Sequence, residues 1–241
     1  MLLVVPAGAQ AQSPRLSDEC VVLHTVGGDV VIALYPDAAP EHVRQILNLV
    51  RLGCYDHTHF GRVEPGFVLQ LDDVAERPED YPLRHAQLAA IHPIKAEFSP
   101  TLHHRRGTVS MAREDGKPDS ATTSFSILLG EADHLDGQYT IFGEVVFGMD
   151  AVDKLVQVPP RFYDPTIRPV PLVPLEVLKA EVIEAKYVDS IRIAPAHDVR
   201  IPPEVVLQAH RDAWVFHRTQ KEQSPQRGLT ATAFEIGRAH V

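Results

Sequence analysis

One arginine in this chain stands in an otherwise apolar strand pattern, and it is the side chain best placed to do chemistry. Arg62 lies in His59-Phe60-Gly61-Arg62-Val63-Glu64-Pro65-Gly66-Phe67-Val68-Leu69-Gln70, which reads as two short strands joined by a Glu-Pro-Gly turn. Proline sets φ and the glycine after it permits positive φ, while Val63, Phe67, Val68 and Leu69 suit a pleated, half-buried surface. Neighbours on a strand point to opposite faces, so Arg62 faces away from Gly61 and Val63, Val68 and Gln70 share one face, and Leu69 and Leu71 share the other. One face is then core and the other a site where a cation is held beside an apolar patch. The competing reading is a surface arginine whose stem covers apolar surface.

Other residue types that carry chemistry are less well arranged. His57-x-His59 would put two imidazoles on one strand face, and His103-His104 sits beside Arg105 and Arg106, whose charge opposes a bound cation. No Cys/His set has zinc-finger or HExxH spacing, so no metal is expected. A Ser-His-Asp hydrolase finds no support either, since no Gly-x-Ser-x-Gly elbow is present.

The elements that must position Arg62 follow from local pattern. Cys20–Val26 and Asp29–Tyr35 are apolar, β-branched runs separated by Gly27-Gly28, which predicts a two-residue hairpin. From Pro40 a helical spacing begins, with Val43, Ile46, Leu47 and Val50 on one stripe and Gly53 where a C′ glycine belongs. Between Asp72 and Arg106 the pattern dissolves, and Pro78, Pro82, Pro93 and Pro100 exclude a long helix. Gly107–Met111 restores a strand, Glu114–Ser120 reads as a loop, and Met149–Val156 as a short amphipathic helix. After a proline-studded crossing, Leu175–Ala185 and Tyr187–Ile193 both alternate enough to be strands.

Four further stretches, in order, carry a resemblance. Phe60 to Gln70, Ser110-Met111-Ala112-Arg113, Thr123 to Ile127, and Leu135 to Val146 are similar to the ordered motifs of the cyclophilins: Phe-His-Arg-Val/Ile-x-Pro-Gly-Phe-x-x-Gln, Ser-Met-Ala, Ser-Gln-Phe-Phe-Ile, and Leu-Asp-Gly-x-x-x-x-Phe-Gly-x-Val. The resemblance covers residues 20–193. It implies a mainly β fold, a closed eight-stranded antiparallel β-barrel capped by two helices, and peptidyl-prolyl cis/trans isomerase activity on proline-containing polypeptide clients, with no cofactor. By the same resemblance Arg62 is the catalytic residue. Phe67, Val68 and Leu135 line the slot for the proline ring, Gln70 holds the guanidinium or the substrate carbonyl, Tyr139 closes the slot, and Ala112 and Arg113 border the substrate groove.

Several positions depart from the family pattern. Ser124 and Ser126 stand where the family has glutamine and the phenylalanine that floors the proline pocket, and His134 replaces an aromatic before Leu-Asp-Gly. Gly61 replaces the residue before the arginine, and Leu71-Asp72 replaces a Gly-Gly pair. These departures predict low turnover and weak binding of cyclosporin. They leave open a binding module that grips proline-containing segments without catalysis, and a structural domain of a larger exported assembly.

Composition limits the alternatives. The 241 residues carry a net charge of -9, against the basic footprint usual for nucleic-acid or anionic-membrane binders. No apolar stretch is long enough to span a bilayer, so no membrane insertion is expected. Residues 1–13 resemble a clipped secretory signal with Ala9-Gln10-Ala11 as a cleavage-type site, which favours a periplasmic or otherwise exported location. The two cysteines, Cys20 and Cys54, read as small buried residues. Residues 194–241 form an extension in which Pro203–Arg218 has helical spacing, and the final residues read as a translated adapter tail on a truncated chain.

Overall fold

The computed structural model describes residues 14–160 and 169–190. The signal-like segment 1–13, the 203–218 helix and the rest of the extension lie outside the described residues. Among the described residues eight strands are formed: β1 (Glu19–Thr25), β2 (Gly28–Leu34), β3 (Thr58–Glu64), β4 (Val68–Leu71), β5 (Thr108–Met111), β6 (Phe125–Leu128), β7 (Ile141–Phe147) and β8 (Glu176–Glu184). They close in the order β1-β2-β7-β5-β6-β4-β3-β8, every pair antiparallel. Three α-helices accompany them: α1 (Pro40–Arg51), α2 (His85–Ala90) and α3 (Met149–Val156).

Closure removes the exposed edges that a free sheet must protect, and it sorts side chains by period two. Leu69, Leu71, Phe125 and Ile127 face the interior with Phe60 and Phe142, where Tyr55, Phe125 and Phe142 pack edge to face at 5.8 and 5.7 Å. The α1 stripe Val43, Ile46, Leu47 and Val50 joins the same core, as do Ala151, Val152 and Leu155 of α3. Helix α1 stops as its glycine predicts: Gly53 takes φ 69, its N–H reaches Val50 O, and the Cys54 N–H reaches Leu49 O, both at 2.9 Å.

Two local expectations need correction, and one segment holds a short element that the sequence reading did not name. Thr25 pairs with Gly28, so the hairpin loop is Val26-Gly27, one residue earlier than read. Gly28 is pulled into the ladder because only glycine takes its φ of 124, while a Cβ on Gly27 would come within 2.7 Å of Leu155. The proline-rich segment hides a six-residue helix, α2, between Pro82 and Pro93. Its Gln87 gives its side-chain N–H groups to Leu52 O and Gly53 O at 2.9 and 3.0 Å, satisfying the carbonyl end of α1. The second C-terminal strand is absent over its described part: Ala185–Ser190 is a 3₁₀ helix, and residues 191–193 lie outside the described residues. β8 already pairs with β1 and β3, and its last pair is Glu184 with Glu19.

Candidate active site

The site begins with a register irregularity. Across β3 and β4, Phe60 pairs with Leu71, Arg62 with Gln70, and Val63 with Leu69, so Gly61 and Arg62 together oppose Gln70. Strict alternation would send Phe60 and Arg62 to the same face. The extra residue at Gly61 lets Phe60 and Val63 both enter the core while Arg62 stays on the outer face with Gln70. A Cβ at Gly61 would lie 1.8 Å from an Asp72 carboxylate oxygen, so a side chain there would displace that carboxylate. Two departures from the cyclophilin pattern, the glycine before the arginine and the aspartate after Leu71, therefore occupy one space.

Arg62 is only 9% exposed, and its guanidinium is held on two sides. Nε donates to Glu64 Oε1 at 2.8 Å and Nη1 to Gln70 Oε1 at 3.2 Å. Gln70 Nε2 donates to Ser124 Oγ at 3.3 Å, and that hydroxyl donates to Leu71 O at 2.6 Å. The chain of bonds fixes the side-chain amide as well as the guanidinium, since each polar group has a partner. The Phe67 ring centroid lies 5.7 Å from Arg62 Cζ, and His134 stacks on Phe67 with centroids 5.7 Å apart and planes inclined by 25°.

A second wall rises from β5, β6 and the 131–139 loop. Ser126 pairs with Gln70 on one side and Ser110 on the other, so Arg62, Gln70, Ser126 and Ser110 form one row across β3, β4, β6 and β5. Ala112 follows β5 and its N–H reaches Ser124 O at 3.0 Å. Arg113 lies 4.3 Å over the Tyr139 ring and donates to Gln138 O and Glu114 O. Val68 and Leu135 are 2% and 6% exposed and pack together with Leu128 and Ala132, with Phe67 and Tyr139 at their margin. They therefore act chiefly by packing the loop onto the sheet. Hydrogen bonds and ring contacts join Arg62 with Gln70 and Phe67, Gln70 with Ser124, Phe67 with His134, and Arg113 with Tyr139, while Val68 and Leu135 share one apolar cluster with Phe67 and Tyr139.

Sequence reading missed two partners of this site. Glu64 is the first, although its spacing of two from Arg62 on one strand was a usable signal. The second is a buried Asp-His-Ser relay beneath the loop. Asp136 Oδ1 accepts from the His104 N–H at 2.8 Å and contacts its Nδ1 at 2.7 Å, Oδ2 contacts His103 Nδ1 at 2.7 Å, and His104 Nε2 lies 2.9 Å from Ser110 Oγ. Burial pushes the His104 pKa down against the pull of Asp136, and the Ser110 hydroxyl beside Nε2 also reaches Thr140 O at 3.3 Å. Burial alone would raise the Asp136 pKa, but the hydrogen bonds from His103 and His104 outweigh it and hold the carboxyl at about 2. His104 is 0% and Ser110 4% exposed. A sealed serine cannot attack a substrate, so the relay is a brace that ties the 131–139 loop to β5.

Of the remaining histidine candidates, His57 is engaged elsewhere. His57 has φ 60, stacks on Tyr81 at 3.7 Å and pairs with Glu176 at 2.7 Å. Among the described residues no group of three or more His, Cys, Asp or Glu is arranged to hold a metal. Cys20 and Cys54 are buried free thiols, one outside the main core cluster and one within it.

Comparison with known proteins agrees with the fold and the order of its motifs. The family model described as cyclophilin type peptidyl-prolyl cis-trans isomerase/CLD matches residues 20–177. Peptidyl-prolyl cis-trans isomerase CYP23 of Arabidopsis thaliana is 44% identical over 155 residues, 64% of this chain and 68% of that protein. Peptidyl-prolyl cis-trans isomerase B of Escherichia coli is 39% identical over 143 residues, 56% of this chain and 82% of that one. Among solved structures, a Cryptosporidium parvum cyclophilin crystallised in the presence of the dipeptide Ala-Pro superposes with a TM-score of 0.58 at 24% identity, over 68% of this chain and 99% of that chain. With the barrel, the motif order and these relatives in agreement, the chain belongs to the cyclophilin-type peptidyl-prolyl cis-trans isomerase family.

Proposed function

We propose that Arg62 is the donor through which this isomerase lowers the barrier to X-Pro rotation in polypeptide clients, with the proline ring received between Phe67 and the Ser126 face. Partial double-bond character gives the peptide bond a rotation barrier of roughly 18–20 kcal/mol, and an X-Pro bond left alone takes tens to hundreds of seconds to isomerise. Twisting localises the lone pair on the proline nitrogen. An N–H aimed at that nitrogen is favoured more in the twisted state than in the planar one, and only such differential binding speeds the step. The chemistry needs no nucleophile, because no covalent bond is made or broken.

The observation that carries this reading is a guanidinium 9% exposed, fixed by Glu64 and Gln70 and flanked by the Phe67 ring. Its N–H donors have fixed directions. The Ala-Pro dipeptide present with the Cryptosporidium parvum cyclophilin supports a proline-containing peptide as ligand. Ser126 supports a loose grip on the ring, since a small polar residue in place of a buried aromatic forgoes on the order of 1.5–3 kcal/mol of apolar contact. A prolyl isomerase assay on an X-Pro peptide, parent against Arg62→Ala, tests the assignment. Near-parental activity in the variant would return Arg62 to the status of a surface residue.

A further inference from the structure

We propose that Glu64 is a positioning residue for the isomerase reaction, clamping the Nε edge of Arg62 so that the donor reaches the substrate in one orientation. This rests on Arg62 being the donor. Glu64 follows Arg62 by two residues on β3 and so shares its face. It is the last residue of the strand, paired with Val68 across Pro65-Gly66-Phe67, so the turn holds its backbone in place. One carboxylate oxygen serves both near positions of the guanidinium: Oε1 is 2.8 Å from Nε and 2.6 Å from Nη2. The two side chains are 11% and 31% exposed, so the pair is screened by water less than a surface pair is.

The consequence lies in which donors are left. A guanidinium has five N–H groups; Nε and one hydrogen of Nη2 face Glu64, and one hydrogen of Nη1 goes to Gln70 Oε1. Two N–H groups, one on Nη1 and one on Nη2, are then left for the substrate. Without Glu64 the long arginine side chain would keep only the Gln70 hydrogen bond and the Phe67 ring contact, and orientation lost in this way lowers the rate of the step more than it lowers binding. The carboxylate also opposes the positive charge that the proline nitrogen meets. Glutamine keeps an acceptor oxygen at the same reach and removes that charge, which separates orientation from electrostatics.

The test compares Glu64→Ala and Glu64→Gln in the full chain, each in the parental and the Arg62→Ala background, by isomerase kinetics with thermal unfolding as a check on the fold. Glu64→Ala should lower kcat about tenfold with KM within about twofold, and Glu64→Gln should recover most of that loss. In the Arg62→Ala background, Glu64→Ala should cost nothing further, which a general effect on the barrel would not produce. Glu64→Ala within twofold of the parent overturns the proposal, as does an equal loss in both Glu64 variants or a further loss in the Arg62→Ala background. If Arg62→Ala alone keeps parental activity, the donor assignment fails and the clamp falls with it.

Discussion

The two walls of the site hold their residues by different means. On the β3–β4 wall, side chains hold one another: Glu64, Arg62, Gln70 and Ser124 form a continuous run of hydrogen bonds that ends on Leu71 O. On the β5–β6 wall the residues facing the groove are small, and the loop above them is held from behind by Asp136, His104 and Ser110. On the proposed assignment the first arrangement fixes the donor and the second receives the ring, so the electrostatic half of the site is the tight one and the apolar half the slack one.

Removing the tight half should have the largest effect. Arg62→Ala should lower kcat/KM by about 10²–10³-fold, the loss expected for one organised donor worth about 2.7–4 kcal/mol, with an unchanged unfolding midpoint. Filling the slack half should do the reverse on a smaller scale. Ser126→Phe should raise kcat/KM by about tenfold, below the full transfer value because the new ring must fit beside Gln70 and Ser110. Peptide titration would show whether the gain enters through KM. An unchanged or reduced efficiency with the fold intact would mean that this wall is shaped for another ligand. Cyclosporin probes the rim of the same wall: inhibition of the parent should be weak, and His134→Trp should strengthen it several-fold in an inhibitor titration, an indole offering more apolar area than an imidazole.

The brace behind the slack wall predicts a modest pH effect on stability. The Asp136 pKa is lowered in the folded chain from 3.8 to about 2. Its contribution is therefore fully present above the unfolded value, and it is lost as pH falls through the folded one. Unfolding temperatures measured between pH 5 and pH 2 should drop less steeply in Asp136→Asn than in the parent. Equal slopes would show that the two imidazoles contribute nothing to the brace.

Most of the tight wall is legible in sequence because it is local. A Pro-Gly turn and period-two alternation suffice to put Leu69 and Leu71 inside and Val68 and Gln70 outside, and the same rule sorts Phe125 and Ile127 from Ser124 and Ser126. What stays hidden depends on a partner strand or on a distant segment. The bulge at Gly61 changes no local pattern and becomes visible only against Gln70 and Leu71. Glu64 reads as a turn residue until Arg62 is seen to lean on it. Asp136, His104 and Ser110 come from three separate segments, so no spacing announces them, and α2 is too short for its periodicity to register. The motif resemblance supplied the family, the groove and the roles, which alternation alone does not reach.

The close approach of Gly61 to Asp72 makes the two positions epistatic. A side chain at 61 on this background meets the carboxylate at 1.8 Å and should cost about 1 kcal/mol in Gly61→Ala, read by denaturant unfolding. Gly61→Ala should cost less on an Asp72→Gly background than on the parent, while equal costs with and without the aspartate would show the positions to be independent. Each single step from this sequence towards the usual family residues at those two sites thus changes a shared volume before the compensating step is taken. The route between the two solutions is a paired substitution, and among related chains the glycine should pass from one strand to the other as a unit.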